Sequence, residues 1–357
     1  MAKPHFYAEH AEGLKRELAA ALDAAALRAL HRKQPARHFL VAGGLFAVLI
    51  LAFAGAAHFP QPWIWAPLAI IEGFCIFDCT VLLHEVVHDN VLRGTREAEL
   101  PAEAGGGHRA LALAYSIPSG ISATQFTRWH LDHHAELGSS ESDPKRAHLS
   151  PKRNRRWLKL LYFTPALFFI YFRAARREAS TYPAALQARI AGERRLAILF
   201  HLAVGAATLL LAGWGAMLRA WAAPVFLVFP MAFALNRLGQ HYDIRPEDTA
   251  EWSTLMKPRW YWSLAFLNSN YHLEHHYFPR VPLYNLPRLG RLLRPFYAQR
   301  GMRYHTFGEL LWKYLVLNRP PHANWDEPAG WRGSGSGAGA RGEAAGTGDM
   351  IGARLEP

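Results

Sequence analysis

FLVAGGLFAVLILAFAGAAHFPQPWIWAPLAIIEGFCIFDCTVLLHEVVH, residues 39–88, decides the fold. Two apolar runs, about 39–59 and 62–83, flank the HFPQP turn, and each is long enough to cross a hydrocarbon core of about 30 Å as a helix. The turn carries neither Lys nor Arg, and the second run stops at Leu83, directly before His84 and His88. Further along, runs at about 196–215 and 220–238 repeat the pattern around a short link whose one basic residue is Arg219. Four transmembrane helices are predicted, in two hairpins.

The composition fits a chain that is part greasy and part wet: 51% of its 357 residues are hydrophobic, yet mean hydropathy is only −0.05. The formal charge of +12 points to nucleic acid or an anionic membrane surface. The apolar runs decide for the membrane and against nucleic acid. The two cysteines, Cys75 and Cys79, both lie inside an apolar run, which leaves neither a disulfide framework nor a four-cysteine metal site. No cleavable leader is expected, because many charged residues precede the first apolar run.

Basic residues crowd the segment between the two hairpins (Arg93, Arg96, Arg109, Arg128, Lys145, Arg146 and the KRNRRWLK stretch at 152–159) and also the N-terminal arm. The positive-inside rule then puts both termini and the middle segment in the cytoplasm, and in a bacterium the membrane is the cell inner membrane. Three regions are expected. Residues 1–37 form a cytoplasmic amphipathic arm, with 8–33 one surface helix near the membrane. Residues 38–320 form an all-α membrane domain with a cytoplasmic helical cap. Residues 321–357 form a disordered tail, Gly- and Ala-rich from Arg332. The GxGxxG at Gly337, Gly339 and Gly342 has no strand before it or helix after it, so it fails as a dinucleotide loop. Two short stretches containing proline, 110–123 and 157–172, read as interfacial or re-entrant.

Eight of the nineteen histidines fall in three groups: His84 and His88; His130, His133 and His134; His272, His275 and His276. On a helix, i, i+3 and i+4 share one face, so HLDHH and HLEHH can each aim three imidazoles at one point and HEVVH can aim two. A single HxxxH is expected by chance at this histidine content, but two copies of HxxHH are not. HEVVH also fits the HExxH zinc-protease pattern with Glu85 as base, but that would leave six clustered histidines without a role. Imidazole alone does not choose between iron, copper, zinc and nickel. The number of nitrogens exceeds what one ion takes and suits two.

The order HxxxH, HxxHH, HxxHH, interleaved with paired spans, resembles the integral-membrane fatty acid desaturase superfamily. NYHLEHHYFPRVPLYNLPRL at 270–289 is especially similar to that family's third box and its sequel. The resemblance covers roughly residues 40–310 and implies a non-haem di-iron centre. It also implies O2 as co-substrate, two external electrons, and the boxed histidines as iron ligands. It further implies a ninth ligand after the last span, a place held here by His241, while Asn236 departs from the Asn-x-x-x-His spacing of some relatives.

Metal-bound histidines usually donate their other N–H to an acceptor. Glu85, Asp89, Asp132, Glu136, Asp143, Asn268, Asn270 and Glu274 are candidates for that part. Asp78 and Glu72, acids within a span, are candidates to line a substrate passage. The chain carries no HPGG haem motif, paired CxxC or credible flavin fingerprint, so electrons must come from a ferredoxin, rubredoxin or cytochrome-type donor. KRNRRWLK offers a place to dock an acidic one, or to meet anionic headgroups. The leading expectation is desaturation of a fatty acyl chain. Hydroxylation or ketolation of a lipid, sphingoid base or carotenoid is the alternative, and a membrane metal-handling protein is a third reading.

Overall fold

A computed structural model describes residues 6–92, 106–139, 142–144, 151 and 153–321. Nearly all of the expected tail, and Arg93, Arg96, Lys145, Arg146 and Lys152, lie outside the described residues. The described chain is helical throughout, with no strand and one isolated bridge, Met256 to His305.

Helices α4 (Pro35–His58) and α5 (Pro62–Val87) form the first hairpin. Each begins on proline, whose fixed φ suits a first helical residue and whose missing N–H would have had no partner there. Two further helices follow, α6 (Gly107–Ser119) and α7 (Ala123–Ala135), then the short pair α8 (Arg156–Leu161) and α9 (Ala166–Ala179). The apolar stretches 110–123 and 157–172 fall largely within α6 and within α8 and α9, all too short to cross a bilayer.

Three helical stretches are long and apolar enough to cross a membrane: Pro35–His58, Pro62–Val87 and Ala184–His241. The third is interrupted. α10 (184–217) breaks at Gly213, with φ 83° and ψ 174°, a backbone region in which a side chain is strained. Beyond it the chain doubles back, because the Trp221 indole lies within 3.2 Å of where a Cβ on Gly205 would stand. The return leg runs through wide π-type turns at Leu218–Ala222 and Pro224–Val228 into α11 (Phe229–His241). The Arg219 guanidinium donates to the carbonyls of Ala56 and Ala57, at 3.0 and 2.9 Å, and so caps the C-terminus of α4.

Large apolar side chains face outward, among them Leu40, Trp63, Leu210 and Leu211, each at least three-quarters exposed. Such a surface suits hydrocarbon. Inside, α5 is the central helix, and at Gly73 it approaches the return leg so closely that a Cβ would sit 2.4 Å from Val228.

The histidine-bearing end is covered by short helices, including α12 (Trp260–Ala265), α13 (His272–Tyr277), α14 (Leu286–Leu292), α15 (Arg294–Gln299) and α16 (Phe307–Leu311). The N-terminal arm joins this layer. In place of one surface helix over 8–33 there are three: α1 (Phe6–His10), α2 (Glu12–Ala21) and α3 (Ala24–Leu30). The break comes where the Asp23 carboxylate caps α3 through the Ala26 N–H. Leu14, Leu18, Leu27 and Leu30 then bury against Leu273, Leu289 and Leu293, so the arm's apolar face is spent on protein. Asn285 donates to the last carbonyl of α3, at Leu30, and Gln34 N–H donates to the Tyr284 hydroxyl.

Candidate metal centre

All nine histidines singled out from the sequence come together. His84 leaves the last turn of α5 and His88 follows it; His130, His133 and His134 share one face of α7. His272, His275 and His276 share one face of α13, and His241 ends α11. Their nitrogens form two sets. His84, His88, His130, His134 and His275 make one, and His133, His241, His272 and His276 the other, with ligand atoms in each within 4.8 Å of one another. His84 and His88 both go to the first set, whereas the other two boxes split: α7 gives two ligands to the first set and one to the second, and α13 gives one and two.

These rings approach one another Nε2 to Nε2. In the first set His84 meets His275 at 3.0 Å, His88 meets His130 at 2.7 Å, and His134 meets both His130 and His275 at 3.0 Å. In the second, His241 meets His133 and His272 at 3.0 Å, and His272 meets His276 at 3.1 Å. Proton positions follow for two rings. The His241 Nδ1 lies 2.9 Å from the Trp252 carbonyl, which only accepts, so Nδ1 bears the hydrogen and a neutral ring has a bare Nε2. The His133 Nδ1 likewise donates to Asp143 Oδ1 at 2.8 Å.

Two lone pairs thus face each other at 3.0 Å, an arrangement that repels unless a cation lies between them. Metal–imidazole bonds of about 2.0–2.1 Å, roughly a right angle apart, separate two nitrogens by about 3.0 Å. The donor set fits a metal in each half.

The expected acceptors part ways. Asp143 holds His133, and the Trp252 carbonyl, which no sequence pattern marks, holds His241. Glu85 Oε1 stays 3.7 Å from the His84 Nδ1, while Oε2 accepts the Leu283 N–H at 2.9 Å, so this carboxylate ties α5 to the segment beyond α13. Asp89 pairs with Lys33 at 2.7 Å. Asp132 is exposed, and Glu136 accepts from Ser142. Asn268, at φ 65°, shapes the turn before α13, and Asn270 reaches the Ser263 hydroxyl at 3.5 Å. Glu274 is buried against Gly290, and burial pushes its carboxyl up to about 7. The Asn236 amide donates to Ser269 and accepts from Gln240.

A cavity of about 100 Å³ lies against both sets. His84, His130, His272 and His275 line it together with Glu85, Asn236, Arg237 and Gln240, and Phe77, Val81, Phe126 and Phe233 are among its apolar lining. Asp78 and Glu72 are buried but border neither this cavity nor the larger groove beside it. Apolar and aromatic groups make up much of the lining of both spaces, as a hydrocarbon guest would require.

Two polar clusters escaped the sequence reading. Glu193, inside α10, accepts from the Ser122 hydroxyl (2.5 Å), the Thr124 N–H (3.0 Å), the Thr124 hydroxyl (2.6 Å) and Arg109 (2.5 Å), fastening the start of α7. Of the basic stretch, Lys159 is fully buried and donates to the carbonyls of Tyr314 and Arg319, and Arg156 bonds the Leu315 and Val316 carbonyls. Those two cations are spent on the C-terminal segment, while Arg153 and Arg155 stay exposed. Asp243, His305 and Glu309 also converge, but the Lys313 ammonium already pairs with both carboxylates.

Histidine-only donor sets at the ends of long apolar helices define a class, that of helical membrane proteins carrying a histidine-rich site fit for metal. The chain belongs within it to the fatty acid desaturase family, whose model matches residues 60–308. It is similar to the sphingolipid delta(4)-desaturase/C4-monooxygenase of Homo sapiens, at 29% identity over 81% of this chain and 84% of that one. The proteins of the same name from Bos taurus and Rattus norvegicus are 26% and 28% identical over 81% of this chain, covering 84% and 83% of theirs. The chain is accordingly an oxidoreductase of the lipid desaturase or hydroxylase type.

Proposed function

We propose that the chain is an O2-dependent, membrane-bound di-iron enzyme that introduces a double bond into the acyl chain of a lipid. The observation that carries this is the five-and-four division of nine inward-facing imidazoles beside an apolar cavity. His84, His88, His130, His134 and His275 would hold one iron, and His133, His241, His272 and His276 the other. Such a centre supplies O2 activation and hydrogen abstraction from an unactivated C–H bond.

The protein's part is position. Asp143 and the Trp252 carbonyl fix the Nδ1–H tautomers of His133 and His241 and so aim Nε2 inward. Burial of most of the rings keeps water from the site, and the apolar wall holds the chain's methylenes against the faces of both sets. Electrons come from a separate ferredoxin, rubredoxin or cytochrome-type protein, with exposed Arg153 and Arg155 part of the surface that meets it. Four crossings are proposed, with termini, cap and metal site in the cytoplasm. The reversal at Gly213, the Arg219 cap on α4 and the basic residues at the histidine end support that topology.

Hydroxylation at the same site is the second reading, favoured by the double name, desaturase and monooxygenase, of the relatives. Expression in a lipid-producing host, with lipid mass spectrometry and a His130→Ala control, tests both. Loss of two hydrogens supports desaturation, and gain of one oxygen supports hydroxylation. Unchanged lipids from an iron-loaded, reduced enzyme would remove both.

A further inference from the structure

Beside the metal site, α9, α10 and the return leg enclose a groove of about 880 Å³. That is the size of a ligand site, for which about 300–1,000 Å³ is usual. Its floor is apolar, with Phe168, Phe172, Ile198, Leu202 and Phe226. One rim is cationic, with Arg173, Arg176 and Arg177 on α9 facing Arg194 on α10. Among the described residues no carboxylate pairs with the three α9 arginines, which are exposed. Arg194 is steadied by the Gln125 side-chain oxygen, and the Gln125 amide donates in turn to the Ala175 carbonyl at 2.6 Å. The arginine rim is therefore tied to α7, the helix that carries three of the histidines.

The groove adjoins two further spaces. Ser119, Gly120, Phe168, Phe172 and Phe229 border both it and a narrow neck. Ile121, Tyr171 and Phe233 border both the neck and the cavity beside the histidines. Three adjoining spaces thus line up between the cationic rim and the metal site. The groove's mouth opens among exposed apolar residues, Phe169, Ile198 and Leu199, on a surface suited to hydrocarbon rather than to a soluble carrier.

We propose that this groove admits, sideways from the bilayer, one acyl chain of a glycerophospholipid whose phosphate rests on the Arg173, Arg176, Arg177 and Arg194 cluster. Planar guanidinium forks suit phosphate oxygens, and an interfacial position sets the headgroup beside them while the chain enters the groove. The assignment rests on the desaturase reading and narrows it: the substrate is an intact phosphate-bearing lipid, not a neutral lipid or a soluble thioester.

The test uses the full-length protein in neutral detergent, titrated with phosphatidylglycerol and with diacylglycerol of the same chains, and read by native mass spectrometry. Tighter retention of phosphatidylglycerol is expected. The triple variant Arg173→Gln/Arg176→Gln/Arg177→Gln should lose affinity for it on the order of 100-fold, at about fivefold per arginine. Arg153→Gln/Arg155→Gln should leave the preference unchanged. Ile121→Trp, at the neck, should keep phosphatidylglycerol bound while abolishing product. Equal retention of the two lipids, or undiminished affinity of the triple variant for phosphatidylglycerol, overturns the assignment. Equal retention by an enzyme that still desaturates lipid defeats the groove alone; the expected binding without any lipid oxidation defeats the desaturase reading alone.

Discussion

Replacing Glu193 with alanine should destabilise the protein more than any other single change at the start of α7. The carboxylate is buried and takes four donors: the Ser122 hydroxyl, the N–H and hydroxyl of Thr124, and Arg109. Charge-assisted hydrogen bonds contribute about 1.5–3 kcal/mol each, so a simple sum would reach about 6–12 kcal/mol. That sum is too high. Arg109 is 24% exposed and can be hydrated, and the Ser122 hydroxyl still caps α7 through the Gln125 N–H. Breaking one side of a buried ion pair costs about 3–5 kcal/mol, the better figure here. At roughly 2 °C per kcal/mol for a large chain, Tm in detergent falls by about 6–10 °C. Thr124→Val removes the hydroxyl's bonds to Glu193 and from Arg109 but leaves no buried charge unpaired, and should cost less, about 1.5–3 kcal/mol. Because α7 carries His130, His133 and His134, bound iron should fall together with Tm. A Glu193→Ala protein that melts within a degree of wild type with full iron would refute the claim that this carboxylate holds α7 in place.

Other outcomes follow from the same structure. Asp143→Ala frees the His133 ring and should weaken metal binding about 10–100-fold, read as iron per protein after dialysis against a chelator; Asp143→Asn, which keeps an acceptor, should lose less. His133→Ala and His275→Ala each strip one set, so both should abolish product while the chain remains inserted; turnover in either refutes the shared site. Gly73→Ala drives a Cβ to 2.4 Å from Val228 and should cost about 1–3 kcal/mol of stability. Adding Val228→Ala should recover part of that loss in the same thermal assay. Lys159→Met should loosen the segment from Trp312 to Arg319, with faster hydrogen exchange there than in α5.

The histidine clusters were legible because helical spacing alone, at i, i+3 and i+4, aims their rings. How the boxes divide was not: His133 and His134 are neighbours in sequence yet serve different sets, a result of where α5 and α11 end in space. Among the expected acceptors Asp132 and Asp143 looked alike on paper. Asp132 lies on the outer side of α7, whereas Asp143 is brought back by the turn at Gly138, where φ is 93° and the Trp252 ring packs closely. A backbone acceptor such as the Trp252 carbonyl leaves no trace in side-chain identity. Glu193 was hidden because α10 begins twelve residues before its apolar run, so a residue outside that run is inside the helix. The arm at 8–33 showed its apolar stripe but not the partner surface, which comes from residues more than two hundred positions away.

The cap that Arg219 places on α4 also bears on the order of assembly. α4 leaves the ribosome some 160 residues ahead of its cap, so the carbonyls of Ala56 and Ala57 wait for a donor until the second hairpin is made. The end of α4 is thus not packed independently of the return leg. The last turn of α4 is completed by the second hairpin, a latch that closes only on a full-length bundle. Cysteine cross-links between α4 and the return leg, sampled on chains arrested at increasing length, should form only after Arg219 has emerged, and Arg219→Leu should delay or abolish them.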